Sequence, residues 1–127
     1  MKRTLWFSLM TIVVVAFAGC SDDDIAAPGN QNQSPTASIT ANPTQTPRGD
    51  NNSTIVTLDG SMSTDPDGDQ LSFAWTVPNG TFVNGTMASD PVIQVTFPGT
   101  MPYTVTLVVD DGRGGTDSAQ VTIGLSN

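Results

Sequence analysis

Apolar and polar side chains alternate along most of this 127-residue chain, and a two-residue period is typical of β-strands with one buried face. The clearest example lies at residues 71–77, where Leu71, Phe73, Trp75 and Val77 share one face. The other in-phase apolar positions are Ala37, Ile39 and Ala41; Val56 and Leu58; Ile93, Val95 and Phe97; Tyr103, Val105, Leu107 and Val109; Ala119, Val121 and Ile123. No segment shows a sustained helical period, so the sequence predicts an all-β domain.

Turn-forming residues separate the predicted strands. The first predicted strand starts near Pro35 and ends at Asn42-Pro43. Residues 47–53 are predicted to form a loop, which a second strand follows at residues 54–59. A short strand is predicted near residues 81–83. About seven short strands with turns roughly every 8 to 12 residues are typical of an antiparallel, immunoglobulin-like β-sandwich. The predicted centre of its core consists of Phe73, Trp75, Tyr103, Val105 and Leu107.

The N-terminus has the layout of a secretory signal. Lys2-Arg3 precedes an apolar stretch at residues 5–18, which is shorter than the roughly 20 residues that a membrane-spanning helix needs. The stretch ends in Phe17-Ala18-Gly19-Cys20, which resembles the lipobox of bacterial lipoproteins. That resemblance implies removal of residues 1–19 and attachment of lipid to Cys20, so the membrane is a predicted partner through this residue.

Residues 20–34 are predicted to form a flexible tether after the signal. They contain one branched apolar residue, Ile25, and cannot bury enough apolar surface to order themselves. Ser21 and the acidic run Asp22-Asp23-Asp24 resemble the features that direct bacterial lipoproteins to the outer membrane and, in some groups, to its outer surface. We therefore expect a lipid-anchored protein of the cell envelope, with surface-exposed and periplasm-facing orientations both open, and a folded domain at residues 35–127.

Composition excludes most catalytic chemistry. The chain has no histidine and no glutamate, its only lysine is Lys2, and its only cysteine is Cys20. An imidazole base, a Cys/His pair, a lysine nucleophile in the domain and an internal disulfide are therefore absent, and we expect a protein that is not an enzyme. Loss of Lys2 and Arg3 with the signal would change the net charge from −8 to −10, which disfavours nucleic acid as a partner.

The turns and strands on both sides of Trp75 carry recognisable motifs. One stretch runs from Val56-Thr57-Leu58-Asp59-Gly60-Ser61 through residues 63–69 to Leu71-Ser72-Phe73-Ala74-Trp75; the other comprises Pro98-Gly99, residues 103–110 and a glycine-rich turn. Together these stretches resemble the polycystic kidney disease (PKD) domain, although the chain has Trp75-Thr76-Val77-Pro78-Asn79-Gly80 where many members have W-D-F-G-D-G. The resemblance spans residues 35–123 and implies a non-catalytic extracellular module that acts as a spacer or contacts proteins or carbohydrates.

Two predicted loops are rich in aspartate. Asp65, Asp67 and Asp69 lie before the third predicted strand, and Asp110, Asp111 and Asp117 lie in the turn before the last one. In an immunoglobulin-like sandwich these loops emerge at the same end. Such loops suit Ca²⁺, although DPDGD lacks the frame of an EF-hand, and the favoured interpretation is tight turns in which carboxylates accept backbone N–H groups. The residues that would bind the metal are Asp65, Asp67, Asp69, Asp110 and Asp111.

Three functional hypotheses follow. The first is a lipid-anchored envelope protein that presents one PKD-like module for adhesion, structural spacing or contact with an unknown protein or polysaccharide. The second is a module stiffened by calcium, the only cofactor that the sequence suggests. The third is a minimal glycan-binding protein in which Phe82, the one aromatic side chain of the domain outside the core phase, stacks on a sugar. The favoured alternative for Phe82 is an ordinary strand residue of the second sheet. A glycosidase with paired aspartates is disfavoured. Its general acid would need a carboxyl group with a raised pKa, and the sequence predicts no pocket that would raise it.

Overall fold

A computed structural model describes residues 31–49 and 51–126, which belong to one compact unit that begins at Gln31. The predicted signal, Cys20 and residues 21–30 of the predicted tether lie outside the described residues. Within the described ranges there is no helix that is long and apolar enough to cross a membrane. The strands are β1 (Thr40–Asn42), β2 (Gln45–Pro47), β3 (Ile55–Asp59), β4 (Ser72–Thr76), β5 (Thr81–Phe82), β6 (Val92–Thr96), β7 (Tyr103–Asp110) and β8 (Thr116–Ser126).

The eight strands form two four-stranded sheets with a shared core. One sheet has the order β1-β3-β6-β5, and the other has the order β2-β8-β7-β4. Neighbouring strands are antiparallel except β2 and β8, which run parallel. The longest ladder joins β7 to β8, from Tyr103 opposite Ile123 to Asp110 opposite Thr116. This arrangement confirms the predicted all-β, immunoglobulin-like sandwich.

The core consists of the alternating positions that the sequence predicts. Trp75 is 5% exposed, and Val105 and Leu107 are fully buried beside the nearly buried Tyr103. Phe73 is half-buried and packs against this core from β4. Each fully buried Val, Leu, Ile or Phe side chain contributes about 1.5–3 kcal/mol relative to an exposed one, so the period-two pattern carries most of the driving force for folding.

The predicted topology was wrong about strand β2. The prediction was about seven strands, all antiparallel, whereas β2 is an eighth strand and pairs in parallel with β8, Gln45 lying opposite Gly124. Three residues are too few to show an alternating pattern, and the last of them, Pro47, suggested a loop. The pairing is extended by the N–H of Gly124, which donates to the carbonyl of Thr44 at 2.9 Å.

The N-terminal part of the domain also differs from the prediction. Only residues 40–42 form the first strand, although the inward phase of Ala37, Ile39 and Ala41 is as predicted and all three pack against the core. The preceding residues are held by other contacts: Thr36 pairs with Thr64 in an isolated bridge, and the N–H of Ala37 donates to Asp117 Oδ2 at 2.8 Å. Side-chain acceptors therefore replace part of a strand ladder here.

Candidate functional site

The loop between β3 and β4 is organised around Asp65. Its Oδ1 accepts the backbone N–H of Asp67 at 2.8 Å and that of Asp69 at 3.1 Å. Gly68, which has a φ of +78°, donates its N–H to the carbonyl of Asp65 at 3.2 Å. These are the bonds of an aspartate-capped turn, in which the carboxylate substitutes for a backbone acceptor and glycine supplies the left-handed conformation.

The other two aspartates of this loop bind residues that are distant in sequence. Asp67 accepts the backbone N–H of Gln33 on Oδ2 at 2.6 Å and the side-chain amide of Gln33 on Oδ1 at 3.1 Å. The backbone bond from Gln33, followed by its side-chain bond, holds the pKa of Asp67 below its ordinary value. Asp69 Oδ1 lies 3.0 Å from Nη2 of Arg113, and the Asp69 side chain is only 13% exposed whereas that of Arg113 is 63% exposed.

The turn between β7 and β8 is built around Asp111, which is 5% exposed. Asp111 Oδ1 accepts the N–H groups of Arg113 at 2.7 Å and Gly115 at 2.9 Å, and Oδ2 accepts the side-chain amide of Asn32 at 2.7 Å. The bond from Asn32 is the main cause that lowers the pKa of Asp111, against the opposing effect of burial. The neighbouring Asp110 accepts the N–H of Gly112 at 2.7 Å on its Oδ1.

The two loops meet at one end of the sandwich, joined by the ion pair of Asp69 with Arg113. We call this end the acidic pole and define it by Asp65, Asp67, Asp69, Asp110 and Asp111. Asp117 was predicted in the turn, but it is the second residue of β8, where its bond to the N–H of Ala37 is the main cause that lowers its pKa.

The sequence analysis did not identify Asn32, Gln33 and Arg113 as parts of the acidic pole. Asn32 and Gln33 lie in the segment predicted as tether, but each forms a hydrogen bond with a carboxylate of the pole. Their amide side chains are the only local signal of this role, and neither occurs in a motif. Contacts across 34 and 79 positions of sequence require knowledge of the fold.

Three of the five residues predicted to bind a metal lie close together. Asp65, Asp67 and Asp69 each offer a carboxylate oxygen, and these three oxygens lie within 4.8 Å of one another. Oδ2 of Asp65 and Oδ2 of Asp69 are buried without a hydrogen-bond partner. Asp110 and Asp111 do not belong to this group, and both oxygens of Asp111 accept hydrogen bonds from the protein. An acidic triad that could hold a metal ion is thus present at the pole.

The candidate stacking residue, Phe82, is not an exposed aromatic side chain. Phe82 on β5 is half-buried and packs against the core, which agrees with a strand residue of the second sheet rather than with an outward ring. No pocket is found among residues 31–49 and 51–126.

A family model described as PKD domain matches residues 32–124 of the chain. This chain belongs to the PKD domain family. The match begins at Asn32, where the structure also shows the first contact with the acidic pole. The PKD domain family is a non-catalytic module, and the match includes the turn at Trp75 in which the W-D-F-G-D-G motif is missing.

Solved structures support the family at the level of fold. The PKD1 domain of Vibrio anguillarum Epp is 27% identical with a TM-score of 0.55, over 75% of this chain and 96% of that domain. A carbohydrate-binding module with promiscuous specificity from the β-sandwich superfamily is 25% identical with a TM-score of 0.55, over 76% of this chain and 36% of that one.

A third similar structure is a nucleoside hydrolase-related protein of Saccharophagus degradans that is associated with carbohydrate metabolism. It is 21% identical with a TM-score of 0.59 over 75% of this chain, which shows a common fold alone. This PKD chain spans about a quarter of the Saccharophagus protein and about a third of the carbohydrate-binding module, so their whole-protein activities do not transfer to it. None of the curated proteins is a match.

Proposed function

We propose that this chain is a lipid-anchored protein of the cell envelope that presents one PKD domain as a non-catalytic interaction module. The supporting observation is the attachment of Asn32 and Gln33 to the acidic pole. Because the compact unit begins at Gln31, only residues 21–30 separate it from Cys20. A lipid-modified cysteine followed by so short a connection would hold the domain near a membrane and leave its surface free for contacts.

Anchoring depends on the lipid and not on the domain. Each methylene group of an acyl chain contributes about 0.8 kcal/mol when it enters the bilayer, and a stable anchor needs two signals such as a pair of chains. The surface of the domain then selects the partner. The similar carbohydrate-binding module and the absence of a pocket among the described residues favour an extended ligand, either a protein or a polysaccharide.

The anchor is tested by expressing the full chain and its Cys20→Ala variant with radiolabelled palmitate. We expect label and partition into the detergent phase for the natural chain, and neither for Cys20→Ala. Ser34→Ala is the matched control, because Ser34 lies downstream of the motif, and it should behave as the natural chain does. An unlabelled, fully aqueous natural chain would overturn the proposal.

Surface and periplasmic display are distinguished by protease treatment of intact cells. Degradation of the labelled protein in intact cells indicates surface display, whereas degradation only after permeabilisation of the outer membrane indicates a periplasm-facing domain. Either result is consistent with an envelope lipoprotein, and the acidic run Asp22-Asp23-Asp24 favours display at the surface. Replacement of all three aspartates of that run by asparagine, which removes their charge, should move a surface protein to the protected fraction.

Calcium binding at the acidic triad is a second candidate function. Oδ2 of Asp65 and Oδ2 of Asp69 are buried without a partner, and a buried carboxylate oxygen that lacks a partner is unfavourable. One carboxylate oxygen of each of Asp65, Asp67 and Asp69 lies within 4.8 Å of the other two, so a cation bound there would have three carboxylate ligands. Ca²⁺ suits such a donor set because it takes 6–8 oxygen ligands and accepts water in the remaining positions.

Calorimetric titration with CaCl₂ and thermal melts with and without EDTA test this candidate. We expect calcium to raise the melting temperature of the natural chain and of Asp110→Asn, which alters an aspartate outside the triad. In Asp69→Asn the calcium-dependent shift should disappear. An absence of binding heat together with an unchanged melting temperature in the natural chain would contradict calcium binding.

A further inference from the structure

One edge of strand β8 is covered by another strand only near its C-terminal end. On one side β8 pairs with β7 from Thr116 to Ile123, and on the other side β2 pairs with it from Gly124 onward. Residues 116–122 therefore have a neighbouring strand on one side alone, within the part of the chain that the structure describes. We call residues 116–122 the free edge.

The backbone groups of the free edge alternate in direction, and one bond fixes which of them point outward. The N–H of Gly124 points to β2, because it donates to the carbonyl of Thr44 at 2.9 Å. In an antiparallel ladder the N–H and C=O groups of one residue point to the same side, and the side alternates from residue to residue. Ser118, Gln120 and Thr122 therefore direct their backbone groups away from β7.

Two of these residues have no backbone partner on the outward side. Gln120 and Thr122 form no backbone hydrogen bond beyond the ladder with β7 among the described residues. The N–H of Ser118 donates to the carboxylate of Asp117, and only its C=O stays unpaired. A row of unpaired backbone groups is a template to which another strand can be added.

The other strands at sheet edges are protected from such pairing. The outer side of β4 is occupied at Trp75, whose N–H donates to the carbonyl of Ala88 at 2.9 Å. β1 has three residues and is followed by Pro43, β2 ends in Pro47, and β5 has two residues. Short strands, proline and charged side chains keep sheet edges from pairing. Residues 118–126 contain neither proline nor a charged side chain, although the chain has a net charge of −8.

We infer that the free edge pairs with the free edge of a second copy of this chain, antiparallel and about a twofold axis at Ala119. Ala119 is the middle residue of the free edge. Gln120 of each copy then lies opposite Ser118 of the other, and its N–H donates to the carbonyl of Ser118. The N–H of Thr122 donates in the same way to the carbonyl of Thr116. Symmetry makes these four hydrogen bonds, and each uses a donor that the single domain leaves unpaired.

The side chains and charges near the axis suit a second copy. Residue 119 takes a position where opposite Cα atoms approach to about 4.5 Å, and the small side chain of Ala119 permits this distance. Antiparallel pairing also separates the two acidic poles, because each pole lies at the start of β8. The two copies of Gly115 lie about 26 Å apart, eight residues at about 3.3 Å each. This separation exceeds the Debye length of about 8 Å at physiological salt.

The membrane anchor would strengthen this pairing, a step that rests on the proposed function. A ladder of a few hydrogen bonds buries far less than the roughly 800 Å² per partner of a standard stable complex, so it is weak in solution. Copies held at one membrane meet at a raised effective concentration, which strengthens the pairing without a new contact. Residues 21–30 can span up to about 33 Å. Two domains that pair with their strands along the membrane can therefore both stay anchored.

The test uses the full chain in its membrane and the variant Ala119→Cys. The two copies of residue 119 lie opposite each other in this register, within the Cα distance of roughly 4.4–6.8 Å that disulfides require. We expect mild oxidation to link Ala119→Cys into a covalent dimer with a yield at least tenfold above that of Thr122→Cys. The two copies of residue 122 are about 20 Å apart in the same register. Thr122 is more exposed than Ala119, so random collision would favour this control.

A second pair of variants separates the backbone from the side chain. Gln120→Pro removes an N–H that points to the second copy, and it spares the ladder with β7 because proline is tolerated where the N–H faces outward. Gln120→Ala keeps the N–H and is the matched control. Combined with Ala119→Cys, Gln120→Pro should lower the yield of dimer at least fivefold, and Gln120→Ala less than twofold. Melting temperatures within a few degrees of the natural chain show that the variants are folded.

The outcomes distinguish the free edge from the anchor. Self-pairing is refuted if Ala119→Cys stays monomeric, if Thr122→Cys links equally well, or if the free edge pairs only with a different protein. Cys20 is the only natural cysteine, and lipid on its sulfur leaves no thiol for linkage. Covalent dimers of the natural chain would therefore refute the anchor. Ala119→Cys combined with Cys20→Ala, oxidised in concentrated solution, then tests the free edge by itself.

Discussion

The side-chain amide of Asn32 donates to Asp111 Oδ2 at 2.7 Å and thereby joins the first described residues to a turn 79 positions later. Gln33 forms a similar link to Asp67 in the other loop of the acidic pole. These bonds fix the start of the PKD domain and place ionised carboxylates at the centre of a hydrogen-bond network. The network requires the carboxylates to be charged, because each oxygen acts only as an acceptor.

Acid should therefore destabilise the domain. Hydrogen bonds hold the pKa values of Asp67, Asp111 and Asp117 below the ordinary value, whereas in the unfolded chain these groups titrate near about 3.9. The unfolded state then binds more protons than the folded state as the pH falls, which favours unfolding. We expect the free energy of unfolding to be nearly constant from pH 7 to about pH 5 and to decrease below about pH 4, measured by urea unfolding with circular dichroism.

Asp111→Asn provides the control for this pH dependence. Asparagine can keep its oxygen on the N–H groups of Arg113 and Gly115, but its NH₂ group then replaces Oδ2, which accepts the side-chain amide of Asn32. The bond from Asn32 is lost and the other two are no longer made to a charged acceptor, so the variant should be less stable at pH 7. It should also lose less stability on acidification, because one of the lowered pKa values is removed. A natural chain that keeps its full stability down to pH 2.5 would contradict the network.

The sequence predicted the core because a strand reveals its buried face locally. Val105, Leu107 and Val109 recur at every second position of one segment, and the structure buries all three. The meeting of the two aspartate-rich loops also followed, because immunoglobulin-like topology brings such loops to one end. Local pattern and fold class together thus determined the position of the acidic pole.

Long-range contacts without a local pattern were not predictable. β2 has three residues and contributes one buried side chain, Thr46, so its parallel pairing with β8 left no periodic signal. Asn32 and Gln33 have the composition of a disordered segment, but both form hydrogen bonds with carboxylates that are distant in sequence. Phe82 lay outside the predicted core phase, but β5 pairs with β6 and brings its ring to the core.

Gly60 should not tolerate a side chain. A Cβ at this position would lie 2.7 Å from Cδ2 of Leu107 and 3.1 Å from Cζ2 of Trp75. Overpacking of this kind costs about 1–3 kcal/mol, so Gly60→Ala should lower the free energy of unfolding by that amount in urea titrations. Gly124→Ala is the control, because its Cβ would meet atoms no closer than 3.4 Å. Equal stability of the two variants would refute the close contact with Trp75.

Thr46→Val should stabilise the domain. The hydroxyl of Thr46 is buried without a hydrogen-bond partner, and a buried hydroxyl that makes no bond costs about 1–3 kcal/mol. Valine has nearly the same shape and removes the polar atom, so we expect an increase of about 1 kcal/mol in thermal or urea unfolding. Thr46→Ser keeps the hydroxyl and loses a methyl group, and it should be less stable than the natural chain. The prediction is wrong if valine and serine destabilise the domain alike.

Tyr103→Phe should weaken the turn between β6 and β7 without disturbing the core. The Tyr103 hydroxyl donates to the carbonyl of Pro98 at 2.7 Å and lies 2.9 Å from Oγ1 of Thr100, and its ring stacks on Phe97 with centroids 5.0 Å apart. Phenylalanine keeps the stacked ring and loses the hydrogen bond, so we expect a loss of about 0.5–1.5 kcal/mol in urea unfolding. Tyr103→Ala removes the ring as well and should cost about 3–5 kcal/mol. A phenylalanine variant as stable as the natural chain would show that the hydroxyl does not hold the turn.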